Sequence, residues 1–152
     1  LQKGLPIILK DIEDVNKVAI EIPELAISLM KKYWPGPLTI VLKAKKELSK
    51  YITASTGKVA VRVPGESFAL ILVKEAGFPI TATSANPSGI PPADNPQQIL
   101  KYFAKDIDLI IDKGKTHGYK PSTIVEIVND RIKILRNGIL TIKDTFYSPN
   151  NR

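Results

Sequence analysis

The sequence predicts an α/β protein: a single domain built on a twisted sheet of mixed parallel and antiparallel strands, flanked by helices. Three observations carry that prediction. Short β-branched runs such as Leu38–Ala44 and Lys58–Val63 alternate with stretches whose apolar residues recur at helical spacing. The late runs at Ile107–Ile111, Ser122–Val128 and Ile132–Leu135 follow one another without an intervening helix, which argues against a purely parallel, doubly wound sheet. A chain of 152 residues, 43% of them hydrophobic, can also bury one ordinary core without disulfides or a metal.

In chain order, Leu5–Leu9 is an apolar run of strand length, and Asp11 can cap a helix starting at Ile12. Leu25, Ile27, Leu29, Met30 and Tyr33 mark one face of a helix from Pro23 to Trp34, which Pro35-Gly36-Pro37 ends. Strands are expected at Leu38–Ala44 and Lys58–Val63, then a helix over Ser67–Ala76 and a strand over Phe78–Ala82. A Pro-rich loop from Asn86 leads to a helix over Pro96–Phe103, with Asn95 as its cap and Pro96 in its first turn. The three late strands complete the sheet.

Composition removes several chemistries. The chain has no cysteine, so disulfides, thiolate metal ligands and a cysteine nucleophile are excluded, and a single histidine argues against a zinc site. No side-chain metal site is expected. No run approaches the ~20 apolar residues of a membrane span, and no secretory signal opens the chain, so a cytoplasmic protein without a membrane partner is expected. A net charge of +7 favours an anionic partner, without separating RNA from ATP or from plain solubility. The first residue is Leu1, which fits a fragment.

Gly114-Lys115-Thr116 imitates the end of a phosphate-binding P-loop, but Leu109 stands where the pattern needs glycine. Ser55-Thr56-Gly57-Lys58 fails because Val59 follows it, so both stretches read as turns. Thr81–Gly89 gathers hydroxyls, small side chains and an amide at a strand end, where backbone N–H groups can approach an anion closely. The same residues form Ser/Asn turns for local reasons, and pattern alone favours that plainer account. Arg62 alternates with Val61 and Val63, sharing a strand face with Ala60 and Lys58; it either grips an anion or lies on a solvated face. Ser122 and Arg136 lie at strand ends, where α/β sheets place ligand contacts, and a surface arginine beside a turn is the alternative. His117 reads as a solvent-facing loop residue. The basic stretches Lys31-Lys32 and Lys43–Lys50 come without aromatic stacking platforms and read as solvated faces.

Taken together, Tyr33–Thr39, Val59–Pro64, Thr81–Gly89, Pro121–Val125 and Ile134–Gly138 resemble, in order and spacing, the YrdC-like threonylcarbamoyl-AMP synthase family. That resemblance implies a YrdC-like fold with a positively charged cleft. It also implies a reaction joining L-threonine, bicarbonate and ATP into threonylcarbamoyl-adenylate, with release of pyrophosphate. The product feeds the modification of adenosine 37 in tRNA through a downstream transferase, so tRNA or double-stranded RNA contact is expected. By resemblance, Ser84 and Asn86 are the Ser-x-Asn half of a Lys-Arg-Ser-Asn catalytic constellation that also touches ATP. Arg62 and Ser122 would hold threonine, and Lys3, Lys58 and Arg136 would meet ATP. Mg²⁺ bridging the phosphates is the expected aid.

The family's upstream Thr-Asp-Thr-x-Tyr-Gly-Leu segment and Lys-x-Arg pair do not occur in the chain. The expectation is therefore a YrdC-like domain over 1–152 that is incomplete at its N-terminus and has no additional C-terminal domain. These residues alone should have little or no synthase activity, unlike their full-length parent. Two other readings stay open: a non-catalytic RNA-binding or ribosome-associated module with a basic cleft, and a relative that adenylates a carbamoyl donor for another pathway.

Overall fold

A computed structural model of the chain describes residues 4–104, 106–112, 114–115 and 120–142. The elements run β1 (Ile7–Ile8), α1 (Val15–Val18), β2 (Ala19–Ile20), α2 (Glu24–Tyr33), β3 (Leu38–Ala44), α3 (Lys50–Thr53), β4 (Lys58–Arg62), α4 (Phe68–Ala76), β5 (Ile80–Thr81), α5 (Pro96–Phe103), β6 (Thr123–Val128) and β7 (Arg131–Arg136). They fall into two compact units, Leu1–Ala82 with Pro121–Arg152, and Thr83–Lys120.

The first unit carries the whole sheet, in the order β5-β1-β4-β3-β6-β7, with β2 pairing onto β3. β1 with β4 and β3 with β6 are parallel, and the other pairs are antiparallel, so the sheet is mixed as predicted.

Register sorts the side chains by face. Ile40 stands opposite Val61 and Val125, and Leu42 opposite Val59. These residues are buried in one cluster with Val15 and Val18 of α1, Leu25, Leu29 and Met30 of α2, and Leu70 and Val73 of α4. Because successive strand residues point to opposite sides, Thr39 and Val41, Ala60 and Arg62, and Ile124 and Glu126 share the other face. That second face positions the site.

Local signals explain the helix ends. Ser67 Oγ accepts from Leu70 N to start α4, and Gly77, at φ 74°, ends it in the left-handed conformation that glycine adopts without strain. Asn95 Oδ1 accepts from Gln98 N at 2.9 Å and Pro96 opens α5, as predicted. α2 starts one residue later than expected, with Pro23 outside it as the capping position. The helix expected from Ile12 begins at Val15, because Asp11 Oδ1 accepts from Asp14 N at 3.0 Å and closes a separate turn first.

Some elements differ from the sequence reading. β2 and α3 are short pieces of 2 and 4 residues that leave no periodic signal. Ile107–Ile111 is not a strand: Leu109 is 76% exposed, and no strand occurs among the described residues of its unit, so the apolar run has no ladder partner. β1 and β5 keep only 2 residues each of the longer predicted runs. Among the described residues, no helix is long and apolar enough to cross a membrane.

Candidate functional site

Four strand ends meet at one end of the second sheet face. β3 and β6 run parallel and start there, whereas β4 and β7 run against them and finish there. Thr39 is the second residue of β3, Arg62 the last of β4 and Arg136 the last of β7, while Ser122 immediately precedes β6.

Arg62 is anchored by the turn before β3. Its Nε donates to Gly36 O at 2.8 Å, and Gly36 N donates to Val63 O at 2.9 Å, so turn and strand end hold each other. A Cβ on residue 36 would lie 2.3 Å from Tyr33 O, which explains the glycine in Pro35-Gly36-Pro37.

Arg136 is fixed by a bulge and a close backbone crossing. Val125 pairs with Ile134 but Ile124 pairs with Arg136, leaving Leu135 as an extra residue. Simple alternation would put Arg136 on the core face with Ile132 and Ile134, and the bulge turns it to the opposite face. There its Nε and Nη2 donate to Ser122 O at 3.1 and 2.8 Å, and Nη2 also reaches Ser122 Oγ at 3.0 Å. The loop beyond it lies against Pro121–Thr123 so closely that a Cβ on Gly138 would meet Pro121 O at 2.3 Å. Thr123, fully buried, ties that loop down: its Oγ1 donates to Leu140 O at 2.7 Å and accepts from Gly138 N and Leu140 N, each at 3.1 Å.

The electrostatics follow from this geometry. Arg62 is held below the usual arginine range, first by burial and then by the neighbouring positive charge of Arg136. Neither guanidinium has an ion-pair partner among the described residues. Two arginines on one face with open valence and a buried serine hydroxyl beside them are suited to a carboxylate or phosphate.

Lys58 shares the face of Arg62 but stands four residues back along β4, roughly 13 Å away at strand rise. Its ammonium contacts Glu126 Oε1 across β3. Both line a depression of about 330 Å³ together with Val41, Ala60 and Leu135. Lys58 is thus not gathered into the two-arginine cluster but lies farther along the same face.

In the second unit, Ser84 is exposed and Asn86 organises its own loop. Asn86 Nδ2 donates to Pro87 O at 3.0 Å and Ile90 O at 2.8 Å, and Ala93 N donates to Ala85 O at 2.9 Å. Asn86 Oδ1 is buried and has no donor among the described residues, a state a ligand N–H or O–H would relieve. Gly114, at φ 81°, lies in a turn closed by its N–H on Asp112 Oδ1 at 2.7 Å, and Lys115 lies 3.6 Å from Asp94. The Gly114 contact is that of a turn, and Lys115 is engaged by a carboxylate, in line with the rejected P-loop. Lys45, Lys46 and Lys17 line a surface depression of about 460 Å³. Lys3 and His117 lie outside the described residues.

The sequence reading missed Gly36, Thr39, Thr123, Glu126 and Gly138 as parts of this arrangement. Thr39 and Thr123 are hydroxyl residues at the starts of otherwise apolar strands, the signal that could have singled them out. The bulge at Leu135 leaves no such mark.

The model of the Sua5/YciO/YrdC family, described as telomere recombination, matches residues 1–138. A threonylcarbamoyl-AMP synthase of Pyrococcus abyssi is 37% identical over 132 residues, covering 87% of this chain and 39% of that protein. One from Bacillus subtilis is 37% identical over 132 residues, covering 86% of this chain and 38% of its own length. The chain therefore spans about two fifths of the length of these curated relatives. Among solved structures, P. abyssi Sua5 complexed with L-threonine superimposes with a TM-score of 0.83 at 36% identity, covering 90% of this chain and 40% of that one.

Proposed function

The chain belongs to the Sua5/YciO/YrdC family, and from that premise we propose that the protein carrying it is a threonylcarbamoyl-AMP synthase, a nucleotidyltransferase acting in tRNA modification. The observation that carries the reading is the pairing of Arg62 with Arg136, which is held on Ser122, on a sheet face where neither arginine meets a carboxylate among the described residues. The relatives' name and the L-threonine in the solved structure supply the chemistry.

In this reading the threonine amine takes up bicarbonate as a carbamate with loss of water. A carbamate oxygen then bonds to the α-phosphorus of ATP as the bond to pyrophosphate breaks. Two anions must approach one another, and fixed cations offset their repulsion and stabilise charge developing on the phosphoryl oxygens. Arg62 and Ser122 hold the threonine carboxylate, Arg136 contacts the nucleotide phosphates, and Lys58 extends the positive surface along the depression beside Glu126. Ser84, and Asn86 with its unsatisfied Oδ1, are assigned to the nucleotide through the family constellation. Lys3 carries the same assignment.

The described residues offer no group of three or more acidic or histidine side chains to ligate a metal. Mg²⁺ therefore fits this reading as a companion of the ATP phosphates, neutralising their charge. A cytoplasmic setting, tRNA contact and a downstream transferase belong to the same proposal.

The test is pyrophosphate release by the full-length protein given ATP, L-threonine and bicarbonate. Release should require all three. Arg62→Ala should raise the threonine requirement, and Arg136→Ala the ATP requirement, each by about 10- to 100-fold, the worth of a charge-assisted contact. Release indifferent to threonine, or tight RNA binding with no ATP binding, would overturn the proposal.

A further inference from the structure

Thr39 Oγ1 and Ser122 Oγ lie 2.8 Å apart, brought together by the parallel pairing of β3 and β6 across 83 positions of sequence. We propose that Thr39 is a positioning residue that fixes Ser122 as a one-way hydrogen-bond donor toward the oxyanion beside Arg62 and Arg136. The inference rests on the reading that this face takes the carboxylate of L-threonine.

Ser122 Oγ accepts an N–H from Arg136 Nη2 at 3.0 Å, which uses one of its two lone pairs. The bond to Thr39 can run in either direction. If Ser122 donated, the Thr39 proton would need another acceptor. Thr39 is only 4% exposed, and its hydroxyl has no second partner among the described residues. That direction strands a buried donor, which is costly. If Thr39 donates instead, the one hydroxyl proton left without a partner is that of Ser122, the more exposed of the two residues at 9%. Both Ser122 lone pairs are then occupied, and its own proton is the one left to point outward.

The consequence is selectivity. Thr39 adjoins Arg62 in the β3–β4 ladder, since Ile40 pairs with Val61. Ser122, Arg62 and Arg136 therefore present donors only, and a carboxylate satisfies them where a carboxamide NH₂ cannot. Thr39 touches no ligand itself. It acts by removing the alternative in which Ser122 rotates and accepts.

The experiment measures L-threonine and L-threoninamide affinity by titration calorimetry on the full-length protein and its Thr39→Val, Thr39→Ser, Ser122→Ala and Thr39→Val/Ser122→Ala variants. Thr39→Val should weaken L-threonine about tenfold while leaving L-threoninamide nearly unchanged, so that discrimination shrinks. Thr39→Ser should restore it. With Ser122→Ala already present, Thr39→Val should add nothing. An equal loss for both ligands, a Thr39→Val effect that persists without the serine hydroxyl, or no effect at all would overturn the proposal. Should Thr39→Val fail to fold, Thr39→Cys, with its weak S–H donor, carries the same test with a smaller change of the same sign. If the unaltered protein binds no L-threonine, the functional reading fails. The positioning role is then decided on inorganic pyrophosphate, where the same loss and the same non-additivity support it and their absence overturns it.

Discussion

Arg62 is held below the usual arginine range first by its burial and then by the guanidinium of Arg136, which adds to the cost of charging it. The sign matters. A base whose pKa is lower folded than unfolded makes its charged form less favourable in the native state. That penalty persists at every pH below the folded value, so no physiological titration relieves it.

A bound anion does relieve it, which gives the first prediction. Inorganic pyrophosphate or L-threonine at about 100 times its dissociation constant should stabilise the protein by about 2.7 kcal/mol, a rise of roughly 5–10 °C in melting temperature. Differential scanning calorimetry measures it. Arg62→Gln should abolish most of the rise given by L-threonine, and an equal rise with L-threonine in that variant would show that the carboxylate binds elsewhere.

The second prediction concerns Lys58, whose ammonium is engaged by Glu126 Oε1. The lysine side chain is 53% exposed, so solvent screens the pair and its loss should cost at most about 1 kcal/mol. An ATP phosphate and Glu126 compete for the same cation. Glu126→Gln should therefore tighten ATP binding a few-fold at low ionic strength, and the gain should fade as salt rises. L-threonine affinity should not move. Weaker ATP binding in Glu126→Gln would instead mean that the carboxylate holds Lys58 in its working position.

Much of this architecture is legible in sequence, for definite physical reasons. β3 falls on its predicted span Leu38–Ala44, because a β-branched run between Pro-Gly-Pro and charged residues has few other options. α5 is given by Asn95 and Pro96 at its start. Arg62 is placed by the valines that flank it and choose its face. What is hidden is whatever depends on long-range pairing. Thr39 meets Ser122 only through the β3–β6 register, and Arg136 reaches that face only through the bulge at Leu135. At Ile107–Ile111 the apolar run misleads, because a strand needs a partner edge as well as apolar residues.

Gly138 supplies the third prediction. A Cβ there would fall 2.3 Å from Pro121 O and 2.4 Å from Ser122 C and Thr123 N, all backbone atoms that cannot rotate away. Gly138→Ala must push the loop off the strand start. It should cost about 1–3 kcal/mol in urea unfolding and at least tenfold in ATP affinity, since Arg136 leaves Ser122 with the loop. A variant as stable as the parent and binding ATP as tightly would contradict this close crossing.

Thr123 gives the last. Its side chain is fully buried, and its hydroxyl donates to Leu140 O and accepts from Gly138 N and Leu140 N. Thr123→Val keeps the shape and removes all three contacts, leaving backbone groups that solvent reaches only if the loop lifts. The expected loss is about 2–4 kcal/mol, larger than a single missing hydrogen bond because more than one buried polar group is orphaned. Hydrogen exchange separates the two ways this can appear. If the amides of Gly138 and Leu140 alone lose protection, the loop has lifted while the sheet stays intact, and ATP affinity should fall with them. If the β6 amides lose protection equally, the threonine stabilises the whole unit rather than the loop, and its link to Arg136 is refuted.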